Sequence, residues 1–124
     1  MTELLVHSAA AIPAYEGPNE IPGIRFRGAR AALGVTAWGM NVLDLAAGCT
    51  GYPEHDHGHD GQEEVYVLLE GAALLIVGEQ RLPMRAGDLV RVPPERTRKF
   101  VTEGSSARIL ALGGVPGKAF TPTM

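Results

Sequence analysis

GYPEHDHGHDGQEEVYVLLEG, residues 51–71, carries three of the chain's four histidines at every second position, beside a dense group of carboxylates. Alternate side chains of an extended strand point to the same face, so we expect His55, His57 and His59 to line one face. Glu64 opens the apolar run that follows, which is typical of the next β-strand. Two imidazoles joined by a carboxylate from a following strand are ligands that a divalent first-row metal prefers. The stretch therefore predicts a metal site.

Short β-strands are predicted on both sides of this stretch. Sixteen glycines and nine prolines divide the chain into segments of strand length, and no long segment keeps a helical period. Gly71 and residues 77–80 are predicted tight turns between antiparallel neighbours. Many short antiparallel strands predict an all-β sandwich or barrel. The predicted strands are rich in β-branched, aromatic and leucine side chains and span residues 35–46, 63–70, 72–77, 88–93, 97–102 and 107–112.

The composition predicts one globular domain in a reducing compartment. With 124 residues, 45% of them hydrophobic and 20% charged, the chain can bury a core without disulfides. Cys49 is the only cysteine, which excludes an intrachain disulfide and favours a cytoplasmic location. No segment reaches the roughly 20 apolar residues that a membrane helix needs. The small basic stretch at residues 25–30 has no stacking platform beside it, so we expect no nucleic-acid partner and no membrane partner.

Acidic residues dominate the middle of the chain. No Lys or Arg occurs from residue 31 to residue 80, a window that holds eight Asp and Glu residues. Such an imbalance should attract cations more readily than phosphates. Three of these acidic residues, Asp44, Glu70 and Glu79, are interpreted as solvated loop charges. The others surround the histidines and strengthen the prediction of a cation site.

The spacing within residues 51–71 resembles a known family motif. Gly51, five residues, His57, one residue, His59, four residues, Glu64, six residues and Gly71 match the first motif of the cupin superfamily, G-x5-H-x-H-x3,4-E-x6-G, at every fixed position. The chain is thus similar to the small single-domain cupins with a cupin-2-like conserved barrel. The resemblance is specific, because each fixed position is occupied by the expected residue type.

A second stretch, GDLVRVPPERTRKFVT, resembles the second cupin motif, G-x5-P-x-G-x2-H-x3-N, only in part. Gly87 and Pro93 match, whereas Glu95, Arg98 and Thr102 stand where the family has Gly, His and Asn. The resemblance implies a double-stranded β-helix, or jelly-roll barrel, with an irregular N-terminal arm. We expect the arm to span residues 1–23, the barrel residues 24–114 and a C-terminal tail residues 115–124.

The resemblance also implies a ligand set. His57, His59 and Glu64 correspond to the family's metal ligands, and the expected cofactor is a divalent metal ion, Zn, Fe, Mn or Ni. Arg98 takes the place of the fourth ligand. Guanidinium stays protonated and has no lone pair to donate, so Arg98 cannot bind the metal.

Three arrangements are compatible with this substitution. Two histidines and Glu64 can form a facial triad with open positions, while Arg98 holds a substrate anion and Tyr66 offers a hydroxyl. His55 can instead complete a set of three histidines and one glutamate. Alternatively, Arg98 pairs with Glu64 directly and no metal binds. The first predicts a metal-dependent enzyme, of oxygenase or isomerase type, acting on a small anionic molecule, and the second a metal site with four protein ligands. The third predicts a non-catalytic binding module. Catalytic residues are not predicted, and homodimerisation is expected from the family.

Overall fold

The computed structural model describes residues 2–122, which form seven β-strands and two short helical segments. The first strand begins at residue 24 and the last ends at residue 114, while Met1 of the predicted arm and Thr123 and Met124 of the predicted tail lie outside the described residues. No helix in residues 2–122 is long and apolar enough to span a membrane. The elements are a 3₁₀ turn Ala9–Ala11, β1 Ile24–Arg27, α1 Ala29–Leu33, β2 Gly39–Leu45, β3 Glu63–Val77, β4 Gln80–Arg85, β5 Leu89–Val92, β6 Arg98–Val101 and β7 Ala107–Gly114.

The strands pair in antiparallel fashion throughout and close into a jelly-roll barrel, which confirms the predicted all-β fold. β1, β2, β7 and the first half of β3 follow one another across one sheet, and β5 adds to the free side of β3. The second half of β3 lies between β4 and β6 in the other sheet. The long strand β3 therefore belongs to both sheets and joins them.

The predicted tight turn at Gly71 is wrong, because β3 continues through this residue. The register of β3 against β7 shifts between Leu68 and Glu70, and Gly71 has a φ of +76°. A Cβ atom at Gly71 would lie 1.9 Å from the carbonyl oxygen of Ser106. Glycine has no side chain and adopts positive φ at little cost, so it lets β3 bend from one sheet into the other.

Two strands lack a recognisable sequence pattern. β1 has only four residues, two of them arginines, and β4 is polar and contains Pro83. β4 lies at the edge of its sheet, where a proline is tolerated because one side of the strand needs no donor. The strand predicted at residues 35–46 begins only at Gly39, whereas the turn predicted at residues 77–80 is confirmed.

The hydrophobic core fills the barrel and fixes the inward face of β3. Tyr66 and Leu68 are buried and Glu64 is half-buried, which confirms that the three side chains share one face. Glu64 therefore lies one pleat beyond the core. Other core side chains that are almost fully enclosed are Leu45, Leu75, Phe100 and Ile109.

A network of ion pairs joins β1, β2 and β7. Asp44 and Glu70 lie in strands and not in loops, and both pair with Arg108. Asp44 is only 20% exposed, so its interpretation as a solvated charge is wrong, whereas Glu70 is 69% exposed and remains solvated. The Asp44 carboxylate accepts hydrogen bonds from Nε of Arg27 at 3.0 Å and from Nε of Arg108 at 2.7 Å. Burial raises the pKa of Asp44, but the hydrogen bonds and charges of Arg108 and Arg27 outweigh it and hold the pKa below its usual value.

Asp44→Asn is expected to lower the free energy of unfolding by about 1–2 kcal/mol at neutral pH, because the two arginines lose their counter-charge. Because the pKa of Asp44 is lower in the folded state than in the unfolded state, its charge stabilises the fold at pH values above the unfolded pKa. This stabilisation is lost as the pH falls through the folded pKa. The difference between wild type and variant should therefore shrink below about pH 4. Urea unfolding at pH 7, 5 and 3.5 measures it.

Glu79→Gln is the matched control for Asp44→Asn, since Glu79 lies in the exposed turn between β3 and β4. Its effect should stay within about 0.5 kcal/mol at every pH. A constant difference between wild type and Asp44→Asn across the pH range would contradict the assigned ion pairs.

Candidate metal centre

Backbone hydrogen bonds to the neighbourhood of β6 position the first two histidines of the stretch. His55 exchanges two bonds with Arg98, with N–H to O distances of 3.1 and 2.8 Å. The N–H of His57 donates to the carbonyl oxygen of Pro94 at 2.7 Å. These bonds hold the segment extended beside β6, so both imidazoles reach the inward face on which Glu64 lies.

The side chains of His55, His57 and Glu64 converge on one point. One ligand atom from each lies within 4.8 Å of the others. Nε2 of His57 is 3.2 Å from Oε1 of Glu64, and Nε2 of His55 is 3.8 Å from the same oxygen. Two imidazole nitrogens and one carboxylate are the donor set of the facial triads that leave coordination positions open.

The other ring nitrogen of each histidine is held by an acceptor. Nδ1 of His55 lies 2.9 Å from the carbonyl oxygen of Pro53. Nδ1 of His57 lies 3.2 Å from both carboxylate oxygens of Asp60. Because a carbonyl and a carboxylate only accept hydrogen bonds, both Nδ1 atoms carry the proton of the neutral ring. Both Nε2 atoms are then left with a lone pair directed at Glu64, in the orientation typical of metal-bound histidines.

The electrostatics of the cluster favour a charged Glu64. Burial raises the pKa of Glu64, but the nearby imidazole of His55, the hydrogen bond from Tyr66 and the charge of Arg98 outweigh it and hold the pKa below its usual value. The Glu64 carboxylate, 3.8 Å from Nε2, raises the pKa of His55, an effect that burial opposes. The carboxylate therefore attracts a cation to the Nε2 side of the rings, either a proton or a metal ion.

His59 does not join this cluster, and the expectation that three histidines share one face is wrong. The chain turns after His57, whose carbonyl oxygen accepts from the N–H groups of Asp60 at 3.2 Å and Gly61 at 2.7 Å. The turn points His59 outwards, where its side chain is 76% exposed and Nε2 lies 3.4 Å from Asp60. The set that the structure brings together is thus His55, His57 and Glu64, with His55 in place of the motif's second histidine.

Arg98 and Tyr66 lie beneath the cluster and both approach Glu64. Arg98 is 0% exposed, and its Nη2 is 3.9 Å from Oε1 of Glu64. The same nitrogen donates to the carbonyl oxygens of Val92 and Pro93. Nε and Nη1 of Arg98 have no hydrogen-bond partner among the described residues. The Tyr66 hydroxyl donates to Oε1 of Glu64 at 2.6 Å, so it supports the carboxylate directly.

Sequence reasoning missed the two groups that orient the rings, Asp60 and the carbonyl of Pro53. Asp60 stands three residues after His57, and carboxylates often accept from the free ring nitrogen of a metal-bound histidine. That spacing was the available signal for Asp60. Nothing in the sequence marks the backbone carbonyl of Pro53, because its role depends on the path of the chain.

Comparison with known proteins agrees with the fold. A family model described as the Cupin domain matches residues 41–113. No sequence among the curated proteins matches the chain. Among solved structures, one that is similar is a sugar phosphate isomerase of a cupin superfamily, from Silicibacter pomeroyi. It has 21% identity and a TM-score of 0.73, and the match covers 97% of this chain and 76% of that chain.

Two further barrels are similar to about the same degree. A predicted oxalate decarboxylase from Thermotoga maritima has 19% identity and a TM-score of 0.71, covering 90% of this chain and 99% of that chain. The polyketide cyclase RemF from Streptomyces resistomycificus has 17% identity and a TM-score of 0.74, and the match covers 98% of this chain and 88% of that chain. At these identities the likeness concerns the fold alone. Because the family model spans more than half of the chain and the strands form the same barrel, the chain belongs to the cupin family.

Proposed function

We propose that this cupin holds one divalent first-row metal ion through His55, His57 and Glu64 and acts on a small anionic molecule. The observation that carries the proposal is the convergence of three lone-pair donors within 4.8 Å of one another. Each histidine has its Nδ1 proton held by another acceptor, so each neutral ring turns a lone pair towards Glu64. Three acceptors around one point require a cation between them.

The arrangement is that of a metal centre built to keep open positions. Two imidazoles and one carboxylate leave coordination sites free for a substrate or water, unlike a closed structural site with four protein ligands. A metal bound there would act as a Lewis acid or as an oxygen-binding centre. Glu64 is kept charged by Tyr66 and Arg98, and the acceptors at the two Nδ1 atoms fix the rings.

Arg98 supports the preference for an anion. A divalent metal, the carboxylate of Glu64 and the fully buried guanidinium of Arg98 would together carry a net charge of about +2. Two guanidinium nitrogens of Arg98 have no hydrogen-bond partner among residues 2–122. A buried positive centre of this kind is stabilised by a carboxylate or phosphate group on the bound molecule.

The similar barrels support small-molecule chemistry, with the isomerase type represented among them. One of them is a sugar phosphate isomerase and another a predicted oxalate decarboxylase, both named for small anionic compounds. The fold accommodates several reactions, so the choice among them depends on the metal and on the residues around it.

A metal-free binding module is the second candidate, favoured by the contact between Arg98 and Glu64. The 3.9 Å between Nη2 and Oε1 is an ion pair without a direct hydrogen bond. In this metal-free form, the Nε2 atoms of His55 and His57 face the Glu64 carboxylate without a hydrogen-bond donor between them, unless a ring is protonated. The metal-bound form satisfies all three ligands, and we therefore prefer it.

Metal content of untagged protein, prepared without a chelator, tests the proposal. Wild type should contain about one equivalent of a first-row metal by inductively coupled plasma mass spectrometry. Glu64→Gln should weaken metal binding at least about tenfold, because the amide keeps an oxygen ligand but loses the charge. No metal in wild type, even after incubation with Zn(II), Mn(II), Fe(II) and Ni(II), would refute the proposal.

Glu63→Gln is the matched control for Glu64→Gln. Glu63 is the adjacent residue of β3, but it pairs with Arg91 on the other face at 2.8 Å. The same chemical change there should leave metal content within about twofold. Equal losses in both variants would mean that the effect is one of general charge and not of ligation.

We also propose a homodimer, which the family favours, and a cytoplasmic location, which the single cysteine favours. Leu89 on β5 is 70% exposed and Leu69 on the neighbouring strand is also exposed, which gives the outer face of the sheet an apolar area that a second subunit could cover. Cys49 is buried and unpaired, as expected of a protein kept in a reducing compartment.

A further inference from the structure

An apolar cavity of about 440 Å³ opens beside His55. Its volume lies within the range of pockets that enclose a small organic ligand. Several of its walls are continuous with the hydrophobic core, against which Ile24, Phe26 and Tyr52 pack. The apolar side chains that line it are Ile21, Ile24, Phe26, Leu43, Tyr52 and Pro53, while its polar groups besides His55 come from the N-terminal arm at Tyr15, Asn19 and Glu20.

A second cavity, of about 400 Å³, lies on the other side of the cluster and is more polar. His57 and Glu64 line it together with Asn41 and Gln62, whose amides can both donate and accept hydrogen bonds. The two cavities share Tyr15 and Phe26 as lining residues. The candidate metal ligands therefore stand at a junction, with His55 facing an apolar space and the other two ligands a polar one.

The N-terminal arm forms a preshaped wall of the apolar cavity. Tyr15 is tied to β1 by a 2.7 Å bond from its N–H to the carbonyl oxygen of Phe26. The loop that follows is closed by Glu20, whose carboxylate accepts from the N–H of Gly17 at 3.1 Å. Ile21 then packs close to Gly51, where an added Cβ would lie 3.2 Å from its Cγ2 atom. The arm is thus fixed at both ends of the wall that it contributes.

From this arrangement we infer the substrate class: an anion with a hydrophobic body, such as an aromatic or branched alkyl carboxylate, and not a wholly polar sugar phosphate. The inference rests on the proposed function, since the metal binds the anionic group. The hydrophobic body fills the cavity beside His55, and Ile21 and Tyr52 select for it. A fully hydroxylated molecule would leave hydroxyl groups without partners against the apolar side of the cavity formed by Ile24, Phe26 and Leu43, which is costly.

Calorimetric titration of the metal-loaded protein with three probes tests the inference. The probes are 2-naphthoate, acetate and glucose 6-phosphate, which separate the carboxylate group from the apolar body and from overall size. We expect 2-naphthoate to bind at least about tenfold more tightly than either of the others, since only it transfers apolar surface into the cavity. Equal affinity for acetate and 2-naphthoate would overturn the inference.

The variant Ile21→Asn tests whether 2-naphthoate binds in the apolar cavity. This variant keeps a side chain of similar length but makes the wall polar, and it should weaken 2-naphthoate binding at least about fivefold without changing metal affinity. Leu89→Asn, the same kind of change on the exposed outer face of β5, should leave both affinities within about twofold. Unchanged 2-naphthoate binding in Ile21→Asn would overturn the inference.

The metal-free protein separates this inference from the proposed function. Binding of 2-naphthoate that is lost in Ile21→Asn supports the apolar cavity even if the protein takes up no metal. Metal uptake without a preference for 2-naphthoate overturns the substrate class alone. Absence of both metal uptake and 2-naphthoate binding overturns the substrate class together with the metal centre.

Discussion

His55→Ala is expected to weaken the binding of Zn(II) or Mn(II) at least about hundredfold, which corresponds to about 2.7 kcal/mol. The reason is geometric, since Nε2 of His55 lies 3.8 Å from the Glu64 oxygen that it shares with His57. Removing a group that only orients a metal ligand already lowers metal affinity about 10–100-fold. Removing the ligand itself should therefore lower the affinity by at least about 100-fold. Competition with a chromophoric chelator at pH 7.5 measures the affinity.

His59→Ala is the control for His55→Ala because it makes the same chemical change two positions from His57. His59 is exposed and lies on the outer side of the turn, so its removal should leave the affinity within about twofold. The opposite result, a large loss with His59→Ala and a small one with His55→Ala, would contradict the assignment. It would mean that the turn opens on metal binding and that the cupin motif's spacing names the ligands correctly.

The kind of centre could be predicted from the sequence, but the choice between His55 and His59 could not. A period of two places every second histidine on one face only while the chain stays extended. The chain leaves that path after His57, where Asp56 accepts from the N–H of Gly58 and Asp60 from that of Gln62. Such local side-chain bonds compete with strand structure, and hydrophobic periodicity does not encode which donor a carboxylate will find.

Arg98 illustrates the same division between residue type and environment. Its substitution for the usual histidine predicts a missing fourth ligand from the sequence alone. Its complete burial, its bonds to two backbone carbonyls and its distance from Glu64 emerge only from the packing of β6 against β3. Whether it pairs with Glu64 or helps to hold an anion depends on those distances.

The fold was predictable where side chains alternate and less so where backbone conformation decides. The apolar runs at residues 63–70 and 72–77 are both strands, as expected, yet they form one continuous strand. A glycine between two such runs is typical of a hairpin turn. Here a positive φ at Gly71 produces a bend between two sheets. The residue whose backbone leaves no room for a side chain at Gly71 is Ser106, which lies 35 positions further along the sequence.

Gly71→Ala is accordingly expected to lower the free energy of unfolding by about 3–5 kcal/mol. An alanine at a φ of +76° is strained, and its Cβ would lie 1.9 Å from the carbonyl oxygen and 2.9 Å from the carbonyl carbon of Ser106. Backbone strain of this kind costs about 1–3 kcal/mol and an overpacked contact a similar amount. The clash is with backbone, so it is relieved only by separating β3 from β7. Urea unfolding monitored by the fluorescence of Trp38 measures the change.

Gly78→Ala separates the two causes, because Gly78 has a φ of +60° but no atom within 4 Å of an added Cβ. It should show the conformational cost alone, about 1 kcal/mol. The additional loss in free energy of unfolding in Gly71→Ala, compared with Gly78→Ala, is then the cost of the contact with Ser106. If the two variants were equally stable, the approach of β3 to β7 would not be what requires glycine at position 71. Since Glu64 and Gly71 lie towards opposite ends of the same pairing of β3 with β7, a larger loss of stability in Gly71→Ala should also weaken metal binding as the strands separate.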